Sequence, residues 1–398
     1  MNVRAAAVRA VFLLLAGCAA GVGADPAVGP STSKPPDRVD DRRALDLSDD
    51  IEPLRKNHSL PALAAAVVKN GAIVASGVAG TRVVGERDPV EKTDSFHIAS
   101  CTKSFTATLA GILVEEGKLS WAITIGQALP ELRDTMRPEY REVTLRQLLS
   151  HTGGLPAYTN FGPQRLAELM ALPGTHARQR LAFAKAVLQE EPVGASQRDD
   201  TGAQYSNAGY AVAACIIERA AEQEWEDLMR SRIFHTLGMK TAGFGWPATS
   251  SRPHQPRGHR SDDATGKLIP QPLDDAYQLP PCLWPAGAVH CSVDDLARYA
   301  GEHLRGLRGD GRLLRAETYQ TLHRTVNDSN DGFTLGWGAR VDPAWGIVHF
   351  GAGSGGTFFA RIYIIPSHDL AVVVLTNAGT GGDATKELGR MLIERFRT

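Results

Sequence analysis

The sequence predicts an α+β fold: one antiparallel sheet, flanked by N- and C-terminal helices, with a mostly helical lobe inserted into it. Three observations carry this. First, PALAAAVVKNGAIVASGVAG (61–80) sets two apolar runs around Asn70-Gly71, the dipeptide whose residues accept the positive φ of a tight hairpin. Second, IVHFGAGSGGTFFARIYIIPSHDLAVVVLTNAG (347–379) reads as three strands joined by short polar turns. Third, the residues between are punctuated as helices: SFTATLAGILVEEGKL (104–119), VTLRQLLSH (143–151), RLAFAKAVLQEE (180–191) and YAVAACIIERAAEQ (210–223). DLSDDIEPLRKNHSL (46–60) reads as a capped amphipathic helix, and ATKELGRMLIERFR (384–397) has apolar residues at helical spacing. Strands thus open and close the chain. The sheet lobe is expected over about 46–110 and 285–398, the helical lobe over about 111–284, and the ligand site in the cleft between them.

Composition excludes more than it identifies. The chain has 398 residues, 43% apolar and 22% charged, with a formal net charge of −1, the profile of an ordinary globular protein. No dense Lys or Arg run provides a footprint for nucleic acid, so no nucleic-acid partner is expected. No fixed-period repeat is visible. There is no Cys-x-x-Cys pair and no His-x-His, and His254 and His259 lie in a Pro- and Arg-rich loop. Neither a metal site nor a cofactor is expected.

The N-terminus, MNVRAAAVRAVFLLLAGC, has two arginines, a short apolar run and then small residues, the anatomy of an export signal. The run is too short to span a bilayer. Leu15-Ala-Gly-Cys18 resembles the lipobox of bacterial lipoproteins, which implies lipidation of Cys18; the alternative is an ordinary signal cut after Val22-Gly23-Ala24. Both place the mature chain outside the cytoplasm, in the periplasm, and a lipid on Cys18 would anchor it to a membrane, the outer one favoured by Ala19. Residues 19–45 are small, polar and Pro-rich and read as a tether. Cys282 and Cys291 share one loop-rich stretch and are open to pairing or to standing as separate thiols, whereas Cys101 and Cys215 fall in helical patterns and read as buried small hydrophobes.

The chemistry centres on Ser100-Cys-Thr-Lys103. A serine hydroxyl is a poor nucleophile and needs a base; residues three apart on a helix share a face, so Lys103 can reach Ser100. At a helix start the serine lies in the positive end of the helix dipole, which stabilises an alkoxide and, with burial, turns the amine toward a base. Spacing alone cannot decide, because Ser31-Thr-Ser-Lys34 repeats it inside the tether. Context adds Tyr205-Ser-Asn207 at the mouth of a helix: Tyr205 could take the serine proton and pass it to the leaving group, and Asn207 could hold Lys103 and the substrate. Tyr158-Thr-Asn160 repeats that spacing in a turn. His349-Phe-Gly351, on a strand with Gly-rich backbone beyond it, is the candidate third element.

Taken together, these segments resemble the serine β-lactamase/penicillin-binding superfamily, and most closely its branch of class C β-lactamases, D-alanyl-D-alanine carboxypeptidases and esterases. FHIASCTKSFTATLAGILVEEGKL (96–119) looks like the nucleophile helix, and VTLRQLLSHTGGLPAY (143–158) like the LLxHTSGL segment. YSNAGYAVAACIIE (205–218) looks like the Tyr-x-Asn helix, and WPAGAVHCSVDDLARYA (284–300) like the stretch that precedes the last strands. His-Phe-Gly (349–351) stands where Lys-Thr-Gly or His-Thr-Gly is usual. The resemblance covers roughly residues 45–398 and implies a β-lactamase/transpeptidase-like fold. It implies Ser100 as acylated nucleophile, Lys103 and Tyr205 sharing proton transfer, and Asn207 orienting substrate. It further implies His349 tuning Tyr205, an oxyanion hole from the backbone N–H groups of Ser100 and Ala352, and Phe350 and Gly351 lining the substrate. No Glu-x-x-Leu-Asn water-activating segment is present, so deacylation would fall to Tyr205.

Phe350 departs from the usual Thr or Ser, whose hydroxyl helps bind a substrate carboxylate. Losing a hydrogen bond to a charged group costs about 1.5–3 kcal/mol, roughly ten- to a hundredfold in affinity. This favours uncharged ester or amide donors over β-lactams, unless Phe350 turns away and Ser354 or Thr357 supplies the hydroxyl. The expected partner is a small-molecule or peptide acyl substrate. A non-catalytic envelope binding lipoprotein is the competing reading, and a metal-dependent hydrolase a distant third.

Overall fold

A computed structural model describes residues 44–274, 277, 279–326 and 331–398. The export and lipidation expectations, Cys18 included, and the tether up to residue 43 lie outside the described residues. The last tether residue is already structured, because Leu45 pairs in parallel beside Ala75.

Eight strands form one sheet: β1 (Leu45–Asp46), β2 (Ala62–Lys69), β3 (Ala72–Gly80), β4 (Gly332–Phe333), β5 (Gly338–Asp342), β6 (Gly346–Ser354), β7 (Phe359–Ile365) and β8 (Leu370–Thr376). Their spatial order is β1-β3-β2-β8-β7-β6-β5-β4, and every pair except β1/β3 is antiparallel. The β2–β3 hairpin turns at Asn70 and Gly71 with φ +54° and +72°, the mirror-image turn that matches strand twist. Ends of the chain meet in the middle of the sheet, where β8 pairs with β2 from Leu370↔Lys69 to Thr376↔Leu63.

Both faces of this sheet are covered, which is why ALAAAVV and LAVVVL are continuous apolar runs rather than alternating ones. Leu63, Ala65, Val67, Val372 and Val374 pack with helices α1 (Ser48–Asn57) and α5 (Gly382–Phe396). Ala62, Ala64, Ala66, Val68, Val373 and Leu375 face the main core, with α2 (Thr102–Glu115), α3 (Asn207–Ala221) and α4 (Val293–Leu307). The alanine column on β2 lets α4 lie close: a Cβ on Gly301 would stand 3.0 Å from Val68 Cγ1. Helix α1 places Asp49 and Asp50 in its first turn and Arg55 and Lys56 in its last, complementing its dipole; its N-cap residue Leu47 offers no side-chain bond, and Asp46 Oδ1 accepts from the Ser48 N–H at 3.0 Å instead.

Helix α2 is buried from Thr102 through Leu113. Its threonines are satisfied internally: Thr106 Oγ1 donates to the Pro285 carbonyl at 2.7 Å and Thr108 Oγ1 to the Ser104 carbonyl at 2.9 Å. Cys101, Cys215, Cys282 and Cys291 are all buried free thiols, so the Cys282–Cys291 pairing left open by the sequence is not made. Among the described residues, no helix is long and apolar enough to cross a membrane, and no group of three or more His, Cys, Asp or Glu could hold a metal ion.

Candidate active site

Ser100 lies in a single 3₁₀ turn, Ala99–Cys101, immediately ahead of α2. Ala99 adopts φ +46°, a left-handed conformation unfavourable for a residue with a Cβ, so the chain kinks just before the serine. The serine thus stands at the mouth of the helix, as the sequence reading expected, where the free N–H groups and dipole point.

Four of the expected side chains converge. Tyr205 donates its hydroxyl hydrogen bond to Ser100 Oγ at 2.7 Å, and Lys103 Nζ lies 3.3 Å from the same oxygen. Lys103 Nζ also donates to Asn207 Oδ1 at 2.8 Å and to the Ala286 carbonyl at 2.7 Å. The orientation of the Asn207 amide is fixed independently, because its Nδ2 donates to the Tyr158 carbonyl at 2.9 Å. Both outer partners of Lys103 are therefore pure acceptors. A neutral amine has two N–H bonds and one lone pair; with the two bonds spent on Asn207 and Ala286, the lone pair is left for the Ser100 hydroxyl. Electrostatics agree: burial lowers the Lys103 ammonium from its ordinary value to about 7. Burial pushes the Tyr205 phenol well above its ordinary value. Tyr205 therefore rests as a protonated donor, not as the phenolate the sequence suggested would take the serine proton.

The third element is displaced. Strand β6 alternates, and pairing with β7 puts His349, Gly351 and Gly353 opposite Ile364, Ile362 and Ala360, all facing the main core. Phe350 pairs with Tyr363 and packs on the opposite face with the α1/α5 layer, so it does not line the substrate; this corrects that expectation. The His349 ring meets His323 at a centroid distance of 4.5 Å, with no bond to Ser100, Lys103 or Tyr205, and its Nδ1 is without a partner. The segment abutting the nucleophile is Gly353. A Cβ there would collide with the Ile98 carbonyl oxygen and stand 2.9 Å from Ser100 N, while one on Gly355 would lie 3.8 Å from Ala99 Cβ. Ser354, between these two glycines, is the strand residue beside the nucleophile turn; Ala352 lies one pleat, about 7 Å, upstream. A Cβ on Gly351 would have Cys101 Sγ, Trp337 and Ile362 as its nearest neighbours, none closer than 3.5 Å.

Replacing Gly353 with alanine should push the nucleophile turn off the strand. Loss of activity with a lowered melting temperature, corresponding to about 1–3 kcal/mol of overpacking, is the expected result. Wild-type activity and melting in that variant would show that the strand does not set the turn.

Sequence reasoning missed the Ala286 carbonyl and the Tyr158 carbonyl, and it named Ser354 for its hydroxyl alone, not for its backbone beside the nucleophile turn. No side-chain signal marks a carbonyl, although the glycines at 351, 353 and 355 alternate with the strand period and so signal a close backbone approach.

An antiparallel-rich sheet covered on both faces, with a Ser-x-x-Lys turn at the head of its buried central helix and a Tyr-x-Asn opposite, defines the class of serine acyl-transfer folds. The family model described as Beta-lactamase matches residues 47–394, and the chain belongs to that family, within the serine β-lactamase/penicillin-binding superfamily. It is 29% identical over 357 residues to penicillin-binding protein 4 of Amycolatopsis lactamdurans, covering 86% of this chain and 87% of that protein. The fold matches a D-amino acid amidase from Ochrobactrum anthropi with a TM-score of 0.68 at 22% identity, over 88% of this chain and 99% of that one. It also matches a D-alanine carboxypeptidase from Burkholderia cenocepacia with a TM-score of 0.64 at 21% identity, over 86% and 96%.

Proposed function

We propose that this chain is a serine hydrolase that forms an acyl-enzyme on Ser100 and favours ester or amide donors without a recognised carboxylate. The observation that carries it is Ser100 Oγ held between Lys103 Nζ and the Tyr205 hydroxyl, with the other two bonds of Lys103 already committed. Such a set has no use in a non-catalytic binding protein.

In acylation Ser100 Oγ attacks the acyl carbon and its proton passes to the Lys103 lone pair. The developing oxyanion is received by the N–H groups of Ser100 and Ser354, which replaces Ala352 in that role. Tyr205 gives its proton to the departing oxygen or nitrogen and becomes a phenolate, steadied by the Lys103 ammonium whose Nζ lies 4.7 Å from its ring centre. In deacylation water loses a proton to that phenolate while attacking the acyl carbon, and Lys103 returns its proton to Ser100 Oγ. Both residues finish as they began. His349, which packs on His323 and makes no bond to Tyr205, is given no step.

Substrate preference follows from the strand. Toward the nucleophile it presents Gly351, Gly353 and Gly355, with neither cation nor hydroxyl. The residue preceding Gly353 is Ala352, whose methyl cannot donate, and Ser354 Oγ accepts from Gly356 N–H at 3.4 Å within its own loop. Thr357 turns toward Gly258, where its Cβ would meet an added methyl. The escape left open by the sequence is a hydroxyl from Ser354 or Thr357 once Phe350 turns away: Ser354 Oγ keeps its own hydrogen to donate, and Thr357 Oγ1 is buried without a partner, so these are the two hydroxyls that a penicillin adduct would implicate. Unless one of them turns to the substrate, a carboxylate there loses about 1.5–3 kcal/mol of partnership. Mature protein mixed with a penicillin should give little Ser100-dependent adduct by intact mass, while aryl esters of uncharged acids should be turned over. Rapid acylation by penicillin together with inert esters would overturn the preference.

A further inference from the structure

One segment supports the site without entering the reaction scheme. Residues 151–158 run beside 204–207 and bind them at five points. Gln204 N–H donates to the His151 carbonyl at 2.8 Å, and Asn207 N–H to the Ala157 carbonyl at 2.8 Å. Ser206 N–H donates to His151 Nδ1 at 3.1 Å, Ser206 Oγ to the Pro156 carbonyl at 2.6 Å, and Asn207 Nδ2 to the Tyr158 carbonyl. The stretch HTGGLPAY is thus the template on which Tyr205-Ser-Asn207 is laid.

His151 is its odd member. It is buried, and its backbone adopts φ +65°, a conformation glycine holds freely and other residues hold at a cost. Its ring lies against Tyr205 with centroids 4.5 Å apart, against Tyr210 at 5.3 Å, and edge-on to Phe333 at 4.8 Å. Because Nδ1 accepts from Ser206 N–H, a neutral ring carries its proton on Nε2; a doubly protonated ring would aim a second donor at the Ser206 donor.

We propose that His151 is a positioning residue for the reaction. Its ring walls Tyr205 from water while its Nδ1 and carbonyl clamp the flanking backbone, so that the phenol stays on Ser100 Oγ and stays protonated. This rests on the hydrolase reading above. The titratable groups around Tyr205 are Lys103 and Cys101 from the nucleophile turn and α2, Tyr210 from α3, and His151 itself; Phe333 contributes no charge. Burial, with the Lys103 charge, holds the His151 ring well below the usual imidazole range, so it does not supply the base.

The test is His151→Asn in the full chain, with serine-reactive phosphonate titration to count competent sites. Asparagine tolerates the left-handed backbone and offers Oδ1 to Ser206 N–H, but removes the wall. Expected are a kcat per competent site lower by roughly ten- to a hundredfold with KM little changed, and an alkaline limb of the rate profile moved down by about one pH unit or more. The acid limb set by Lys103 should stay. A profile superimposable on wild type with undiminished kcat would overturn the proposal. A measurement on wild type needs no variant: the ¹⁵N resonances of His151 should report the Nε2–H form throughout about pH 5–9. A ring that titrates in step with activity would equally overturn it. Hydrolysis that persists in Ser100→Ala sinks the hydrolase reading; hydrolysis that needs Ser100 but ignores His151→Asn sinks this one alone.

Discussion

Ser100→Ala is expected to lose turnover of every acyl donor by on the order of 10⁴-fold or more, with the folded state intact. The expectation is large because the hydroxyl is the covalent partner, and the Ser100 backbone N–H left behind can stabilise an oxyanion but cannot form an acyl-enzyme. The folding cost should be modest. Removing Oγ leaves the Tyr205 hydroxyl and the Lys103 amine each short of one partner, about 1 kcal/mol apiece. Progress curves with an aryl ester, intact mass after substrate trapping, and a thermal melt decide it together. A variant that melts like wild type and hydrolyses like wild type would remove Ser100 from the mechanism.

Lys103→Met tests the assignment of the base. In wild type, kcat/KM should rise with pH through about 7, because below that value burial no longer suffices to keep the amine neutral and the lone pair facing Ser100 is occupied by a proton. Above it the base is available. Methionine fills much of the same apolar volume and cannot accept a proton, so the rate should fall by about 10²–10⁴ and the acid limb should vanish. The variant also strips donors from Asn207 Oδ1 and the Ala286 carbonyl, so circular dichroism and melting must accompany the kinetics. A surviving limb near 7 in a folded variant would assign the proton acceptor elsewhere.

How far the sequence reached depended on whether a feature was local. The β2–β3 hairpin was legible because Asn70-Gly71 encodes its own turn, and α5 because apolar residues at 384–397 repeat at helical spacing. Ser100, Lys103, Tyr205 and Asn207 were legible because each pair sits within three residues, and their order along the chain disposed of the repeated spacings at 31–34 and 158–160. Tyr158 nevertheless proved to be a neighbour of the site, through its carbonyl. The third motif failed for a physical reason: between 346 and 356 the chain carries five glycines, so side-chain alternation offers almost nothing by which to set its phase. His349 and Phe350 are the conspicuous residues there. What decides the register is the close approach of Gly353 to the Ile98 carbonyl, which leaves no room for a Cβ and is made across roughly 250 residues of chain. The pairing of Cys282 and Cys291 and the roles of Ala286, Ser354 and His151 were hidden for the same reason, since each depends on distant backbone.

The glycine strand also separates two properties that enzymes usually carry together. Position 353 is closed, since any Cβ there moves the nucleophile. Position 351 is open, with its nearest neighbours at ordinary van der Waals distance and on the same face of the strand. A first side-chain carbon is therefore accommodated at 351 and not at 353, so recognition can be varied at 351 apart from the machinery that breaks the bond. A scaffold of this kind can exchange one clientele for another while its reaction stays the same.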